Sequence, residues 1–265
     1  MKTARKHFSA YLNRRYGDRT TPKHYLSDLD QFIKTTEGLH PTEVSSRDIE
    51  YFMDEQQMRG LKPATLNRRL ASLHTFFEVI ASDDAYESFP NPVKWRRHRV
   101  QVGYSLPRDA SDADVEALFG AVTDQRDRAM FGLMVGAGLR VGEVVALQNH
   151  NVQAPDSPEK SARLLVRGKG HKERVVWLTP RWYQAVQGWV DIRPESESSH
   201  LFLNQHQRPL SAAGVQYRLK QSCEVAGVKF SCHQLRHTFA RRLAEQRVPT
   251  ESIAKLLGHE SVTTT

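Results

Sequence analysis

His233-Gln-Leu-Arg236-His-Thr-Phe239-Ala-Arg-Arg-Leu243-Ala-Glu245, followed by Leu256-Leu-Gly-His259-Glu-Ser-Val-Thr-Thr-Thr265, carries cationic side chains at fixed offsets. Leu235, Phe239 and Leu243 recur every four residues, the spacing of one buried helical stripe, and His233 and Arg236 share a neighbouring face. A second short helix follows, with Val248-Pro249 at its start and Gly258 as its stop directly before His259, which fixes where that imidazole emerges. Cations recurring on one helix and at the end of the next point to a phosphate site. The plainer alternative is a solvated helix face, and the rest of the chain decides between the two.

Composition narrows what such a site could act on. A chain of 265 residues with 39% hydrophobic content can bury one large or two modest cores. No apolar run approaches the roughly 20 residues that span a bilayer. Met1-Lys-Thr-Ala-Arg-Lys-His7 is not followed by the apolar stretch of an export leader. A cytoplasmic protein with no membrane partner is therefore expected. Cys223 and Cys232 are too few for a disulfide scaffold and lack the paired spacing of a zinc site, so they are expected to be reduced structural thiols. A formal charge of +8 favours a polyanion, and nucleic acid is the natural candidate.

The first eighty residues read as all-helical. Phe8, Tyr11 and Leu12 fall at helical spacing, Thr21-Pro22 opens a second helix lined by Tyr25, Leu26, Leu29, Phe32 and Ile33, and Gly38 ends it. Ser45 to Gln57 repeats the pattern with Ile49, Phe52 and Met53. Pro63 opens a longer helix lined by Leu66, Leu70, Leu73, Phe77 and Ile80, with Arg68 and Thr75 pointing the other way and Asn67 and Arg69 flanking. After the acidic break at Ser82-Asp83-Asp84, Asn91-Pro-Val-Lys-Trp-Arg-Arg-His-Arg99 leads to Leu106-Pro107, a basic, proline-punctuated stretch that reads as an interdomain linker.

Beyond it, Ser111 can cap a helix through Phe119, and Asp124 to Val135 forms another. Gly136-Ala-Gly138-Leu-Arg140-Val-Gly-Glu143 follows a helix instead of a strand, so a dinucleotide-binding fingerprint is a poor fit. These glycines turn the backbone between two helices and hold Arg140 at an inner corner, where Glu143 could brace it or a neighbouring histidine. Arg163 to Arg167 and Arg174 to Leu178 have strand composition, and Gly168-Lys169-Gly170-His171-Lys172-Glu173 joins them as a hairpin with a lysine at its tip. Trp182 to Val190 reads as a helix, Leu201-Phe-Leu203 as a short apolar segment, and Ser211 to Ala226 as a helix carrying Tyr217 and Arg218.

Over nearly its whole length the chain resembles the tyrosine recombinase (phage integrase) family. Four motifs stand in the family's order: the Gly-Leu-Arg corner at Gly138 to Glu143, the Gly-Lys-Gly hairpin at Lys169, His-x-x-Arg at His233 to Arg236, and Leu-Gly-His at His259. The fold class so implied is mainly α with a small antiparallel β-sheet (α+β). A helical core-binding domain would occupy residues 1–90, a basic linker 91–110 and a catalytic domain 111–265. By the same resemblance Arg140, Lys169, His233, Arg236 and His259 are catalytic and the partner is double-stranded DNA.

The implied roles suit strand cleavage with no cofactor. Arg140 and Arg236 can grip the non-bridging oxygens of one phosphodiester and stabilise the extra charge of a pentacoordinate transition state. His259 adds a donor, and His233 orients the nucleophile or takes its proton. Lys169 protonates the leaving 5′-oxygen; Lys172 is its rival, but the family pattern selects Lys169. A tyrosine nucleophile would retain the bond energy in a 3′-phosphotyrosyl link, so that rejoining needs neither ATP nor metal.

That tyrosine usually lies shortly beyond Leu-Gly-His and its Thr-Thr pair, whereas this sequence stops at Thr265 and neither Tyr183 nor Tyr217 stands in the matching position. The expectation is a chain truncated before its nucleophile that binds DNA without cutting it. Arg68, Asn67 and Arg69 are candidate groove contacts, and Lys94, Arg96, Arg97 and Arg99 candidate phosphate contacts, on two domains that clamp the duplex. Full-length relatives of this kind assemble as tetramers on two duplexes; this chain is expected to be a monomer until DNA assembles it. The alternative is a non-catalytic DNA-binding or regulatory relative with the same fold, which would have no use for a lysine on a hairpin tip. A metal-dependent nuclease lacks clustered acidic ligands.

Overall fold

The helices of the amino-terminal half form where apolar residues return to one face. The computed structural model describes residues 1–17, 20–86, 88–103, 110–168 and 173–258. The chain divides into two compact units, residues 1–105 and 106–265.

In the first unit, α1 (Lys2–Tyr16) buries Ala4, Phe8 and Leu12, and α2 (Thr20–Thr35) buries Leu29 and Phe32. Ser45 and Asp48 form a capping box at the start of α3 (Ser46–Met58), which buries Ile49, Phe52 and Met53. Pro63, with no N–H to leave unpaired, opens α4 (Pro63–Ala81). Edge-to-face pairs Phe8–Phe76 and Phe32–Phe52, each with centroids 5.3 Å apart, lock the four helices together. Asp28 is buried at their centre, paired with Arg68 and accepting a 2.8 Å bond from Ser72 Oγ.

Residues 91–103, expected as the first part of a linker, belong to this unit. Pro92, Val93 and His98 are buried, Ser46 Oγ donates to the Pro92 carbonyl (2.8 Å), and the short α5 (Trp95–His98) packs against α3. Asn67 clamps the return: its Nδ2 donates to Val100 O (2.8 Å) and its Oδ1 accepts from Val100 N (2.9 Å). The apolar Pro-Val pair and the buried His98 inside the basic run are what bind it down, whereas Trp95 stays exposed. Replacing Asn67 with Ala strips two partly buried backbone groups of their partner. We expect a loss of about 1–3 kcal/mol, measured by urea unfolding of the intact chain; full stability with weakened DNA binding would instead make Asn67 a groove contact.

In the second unit, Ser111 caps α6 (Asp112–Ala121) by accepting from Asp114 N (3.1 Å). Asp124 caps α7 (Gln125–Ala137), most of which is buried, as a helix at the centre of a domain must be. Then follow α8 (Val141–Ala146), β1 (Val152–Gln153), β2 (Ala162–Arg167) and β3 (Glu173–Leu178), an antiparallel sheet ordered β1-β2-β3. The added short strand β1 pairs Val152 with Leu164.

Helix α9 (Pro180–Val190) lies so close to α7 that a Cβ at Gly136 would stand 2.0 Å from the Trp182 ring. Helices α10 (Ala212–Ala226), α11 (Cys232–Glu245) and α12 (Thr250–Leu257) complete the unit. On α11 the buried face runs through Cys232, Leu235, Arg236 and Thr238, whereas Phe239 and Leu243 are only half-buried. The helix is thus turned from the expected Leu-Phe-Leu stripe toward Arg236. Both cysteines are unpaired and buried, and burial pushes the Cys232 thiol up to about 11.

Candidate active site

The site is built on the corner that ends α7. Gly138 has φ 64°, the left-handed conformation that closes a helix, and Leu139 N reaches back to Leu133 O (3.3 Å). Its lack of a side chain matters twice, because a Cβ there would lie 2.5 Å from the Phe239 ring on α11 and 2.9 Å from Leu257 on α12. The freed Gly138 carbonyl accepts from Arg236 Nη1 at 2.7 Å. Two residues on, Arg140 caps α8, its backbone N–H donating to Glu143 Oε2 (2.8 Å).

Glu143 is the hub. Arg174 Nη1 and Nη2 donate to its two oxygens at 2.8 and 2.9 Å, Arg140 Nη1 at 3.0 Å, and Arg236 Nη1 stands 3.6 Å away. The same guanidiniums take the carbonyls that end α12: Arg174 Nε bonds Leu256 O (2.9 Å), Arg236 Nη2 bonds Leu257 O (2.7 Å), and Arg140 Nη2 reaches Gly258 O (3.2 Å). Cations at a helix carboxyl terminus meet its partial negative charge as well as its open acceptors. Strand, corner and two helices are thereby tied to one carboxylate.

Burial pushes the Glu143 carboxyl up, but the Arg174 fork, the Arg140 N–H and the nearby guanidiniums outweigh it, so it lies below its ordinary range. Burial, with Arg140 beside it, brings Arg236 down to about 10, still charged at neutral pH. His233, exposed at the first turn of α11, stacks edge-on against His237 with centroids 4.3 Å apart. Partial burial and then the charges of His237, Arg236 and Arg140 hold it below its ordinary value, which keeps its imidazole neutral and able to accept a proton. Arg140 and His233 open into one cavity of about 500 Å³ floored by Leu219 and Phe230.

Of the expected catalytic set, Arg140, His233 and Arg236 come together here with Glu143; Lys169 and His259 lie outside the described residues, as does the rival Lys172. Arg174 is the residue that sequence reasoning missed. It shares the inward face of β3 with Val176 and Leu178, and a charged residue in phase with a buried strand face was the available signal. Among the candidate DNA contacts, Lys94, Arg96 and Arg99 are exposed, and Arg97 is exposed but paired with Glu50. Arg68 is exposed while paired with Asp28; Arg69, half-buried, bonds Gln56, and Asn67 holds Val100.

A helical scaffold with a small antiparallel sheet gathers three guanidiniums around one buried carboxylate, and an imidazole shares a cavity with one of them. Residues 110–265 match the phage integrase family and residues 5–87 the phage integrase N-terminal SAM-like domain. The chain is 32% identical over 268 residues to the tyrosine recombinase XerC of Syntrophus aciditrophicus, covering 92% of this chain and 85% of that protein.

Among solved structures it is similar to the XerH site-specific recombinase bound to palindromic difH substrate in a post-cleavage complex. The TM-score is 0.80 at 20% identity, over 97% of this chain and 79% of that one. It is also similar to a lambda integrase dimer bound to a COC′ core site, with TM-score 0.79 at 16% identity over 100% and 97% of the two chains. The chain belongs to the phage integrase family of tyrosine recombinases.

Proposed function

We propose that this protein breaks and rejoins DNA strands at a specific site through a 3′-phosphotyrosyl intermediate, without metal or ATP. The convergence of Arg140 and Arg236 on the Glu143 corner, with His233 opening into the same cavity, carries the proposal. The arginines bind the scissile phosphate and stabilise the charge it gains; donors fixed beforehand by Glu143 and the α12 carbonyls need no reorganisation when that charge develops. Neutral His233 takes or relays the proton of the attacking hydroxyl. Lys169 protonates the departing 5′-oxygen and His259 adds a donor to the phosphate. Neither Tyr217, exposed on α10, nor Tyr183, half-buried on α9, lines the cavity of Arg140 and His233, so the attacking tyrosine is assigned to neither.

The basic residues of the first unit, Lys94, Arg96, Arg97, Arg99 and Arg68, bind the duplex, and DNA assembles the protein into a tetramer on two duplexes in the cytoplasm.

The test begins with selection of bound duplexes from a random pool by the polypeptide of residues 1–265. A nicked suicide duplex of the selected site is then offered in chelator. Residues 1–265 are expected to bind it without a covalent adduct, and the same polypeptide continued through a tyrosine-bearing segment is expected to form one. Arg236→Ala in the continued polypeptide should cut adduct formation by about 10²–10³-fold, the effect of removing one oxyanion donor. A strict need for Mg²⁺ would overturn the mechanism, an adduct from residues 1–265 the nucleophile assignment, and binding with no adduct in any form would favour a regulatory DNA-binding role.

A further inference from the structure

The three guanidiniums around Glu143 are not equivalent. Arg174, with only 14% of its side chain exposed, engages both carboxylate oxygens as a fork and sends Nε to Leu256 O at 2.9 Å. Gly258 leaves room for this, because a Cβ there would meet Arg174 Nη1 at 2.9 Å. Arg140, with 40% exposed, meets Glu143 side chain to side chain through a single 3.0 Å bond. Its other bonds, to Leu257 O and Gly258 O, are long at 3.3 and 3.2 Å. A charged phosphate oxygen displaces such neutral carbonyl acceptors, since charge-assisted bonds are about twice as strong.

Resting on the phosphodiester reading of this site, we propose that Arg174 is a positioning residue that satisfies Glu143 so that Arg140 keeps its outer edge for the substrate phosphate. Without the Arg174 fork, Glu143 Oε1 is left to the Arg140 guanidinium, and Oε2 keeps only the Arg140 backbone N–H, with a lone pair open to the same guanidinium and Arg236 Nη1 3.6 Å away. Arg140 then closes on the carboxylate in a bidentate pair, and its donors turn away from the cavity it shares with His233. Arg174 pairs with Val166 one step from the loop end of β2 and β3, so the same fork ties that end of β3 to the corner that holds Arg140.

Inorganic phosphate serves as the probe, titrated into the polypeptide of residues 1–265 while the Nε–Hε resonance of Arg140 is followed by NMR. Arg174→Gln is expected to weaken phosphate binding roughly fivefold or more, the scale of one lost charge-assisted contact. The double variant Glu143→Gln/Arg174→Gln, which removes the fork and the competing carboxylate charge together, should bind phosphate more tightly than Arg174→Gln alone, short of the native affinity because Glu143 also holds the donors in place. A role in folding alone would not produce that rescue.

Unchanged affinity in a folded Arg174→Gln protein overturns the proposal. So does a double variant as weak as the single one, which would make Arg174 a direct phosphate ligand. Should Arg174→Gln fail to fold, Arg174→Lys keeps the charge and loses the fork, and native affinity in that variant is equally fatal. If the native Arg140 resonance ignores phosphate, the phosphodiester reading itself is what fails.

Discussion

Gly138→Ala is expected to unfold or severely loosen the second unit, with a loss of about 2–5 kcal/mol from the left-handed backbone and from overpacking together. The first cost follows from φ 64° at a residue that must close α7, and the second from a Cβ only 2.5 Å from the Phe239 ring and 2.9 Å from Leu257. Those neighbours cannot both yield, because Phe239 lies on the helix that carries Arg236 and Leu257 supplies the carbonyl that Arg236 binds. Relief by moving α11 outward would lengthen the 2.7 Å bond from Arg236 to the Gly138 carbonyl.

Thermal unfolding of the intact chain should therefore show the second unit melting earlier while the first keeps its own transition. Even below that melting point, phosphate binding should be lost. Gly142→Ala is the control: no heavy atom lies within 4 Å of a Cβ there, so its stability should change little. Equal stability of the two variants would show that the corner tolerates a side chain, and with it that Gly138 does not set the approach of α11 and α12.

The helices were legible because each carries its own evidence: apolar spacing in α1 to α4, caps at Ser45, Ser111 and Asp124, and stops at Gly138 and Gly258. What the sequence hid was pairing between distant residues. Basic residues between prolines read as solvated chain, yet Pro92 is held by Ser46, 46 residues earlier, and Val100 by Asn67, 33 residues earlier. Arg236 was legible as a site residue from its spacing to His233, but not as a residue buried on the core face of α11, since no local pattern announces a buried guanidinium. Arg174 could have been found by counting alternate positions back from Leu178. Its partner Glu143, thirty-one residues before it, could not.

Glu143→Ala is expected to cost about 3–5 kcal/mol, because removing one member of a buried ionic cluster leaves the others without a counter-charge. Three guanidiniums lie within 3.6 Å of this carboxylate, and the side chain is only 7% exposed, so water cannot replace it. Glu143→Gln should cost less, since the amide oxygen still accepts from one arginine and the side chain still fills its space.

The pH dependence separates charge from packing. A carboxyl held below its ordinary value of 4.5 binds fewer protons in the folded chain than in the unfolded one. Its stabilising contribution is thus complete above that pH and is lost as the pH falls through the folded value. The stability gap between the native protein and Glu143→Gln, measured by urea unfolding at successive pH values, should be widest near neutrality and narrow on acidification below pH 4.5. A gap that stays constant across that range would mean that Glu143 acts through its shape and hydrogen bonds, and that the arginines do not depend on it for counter-charge.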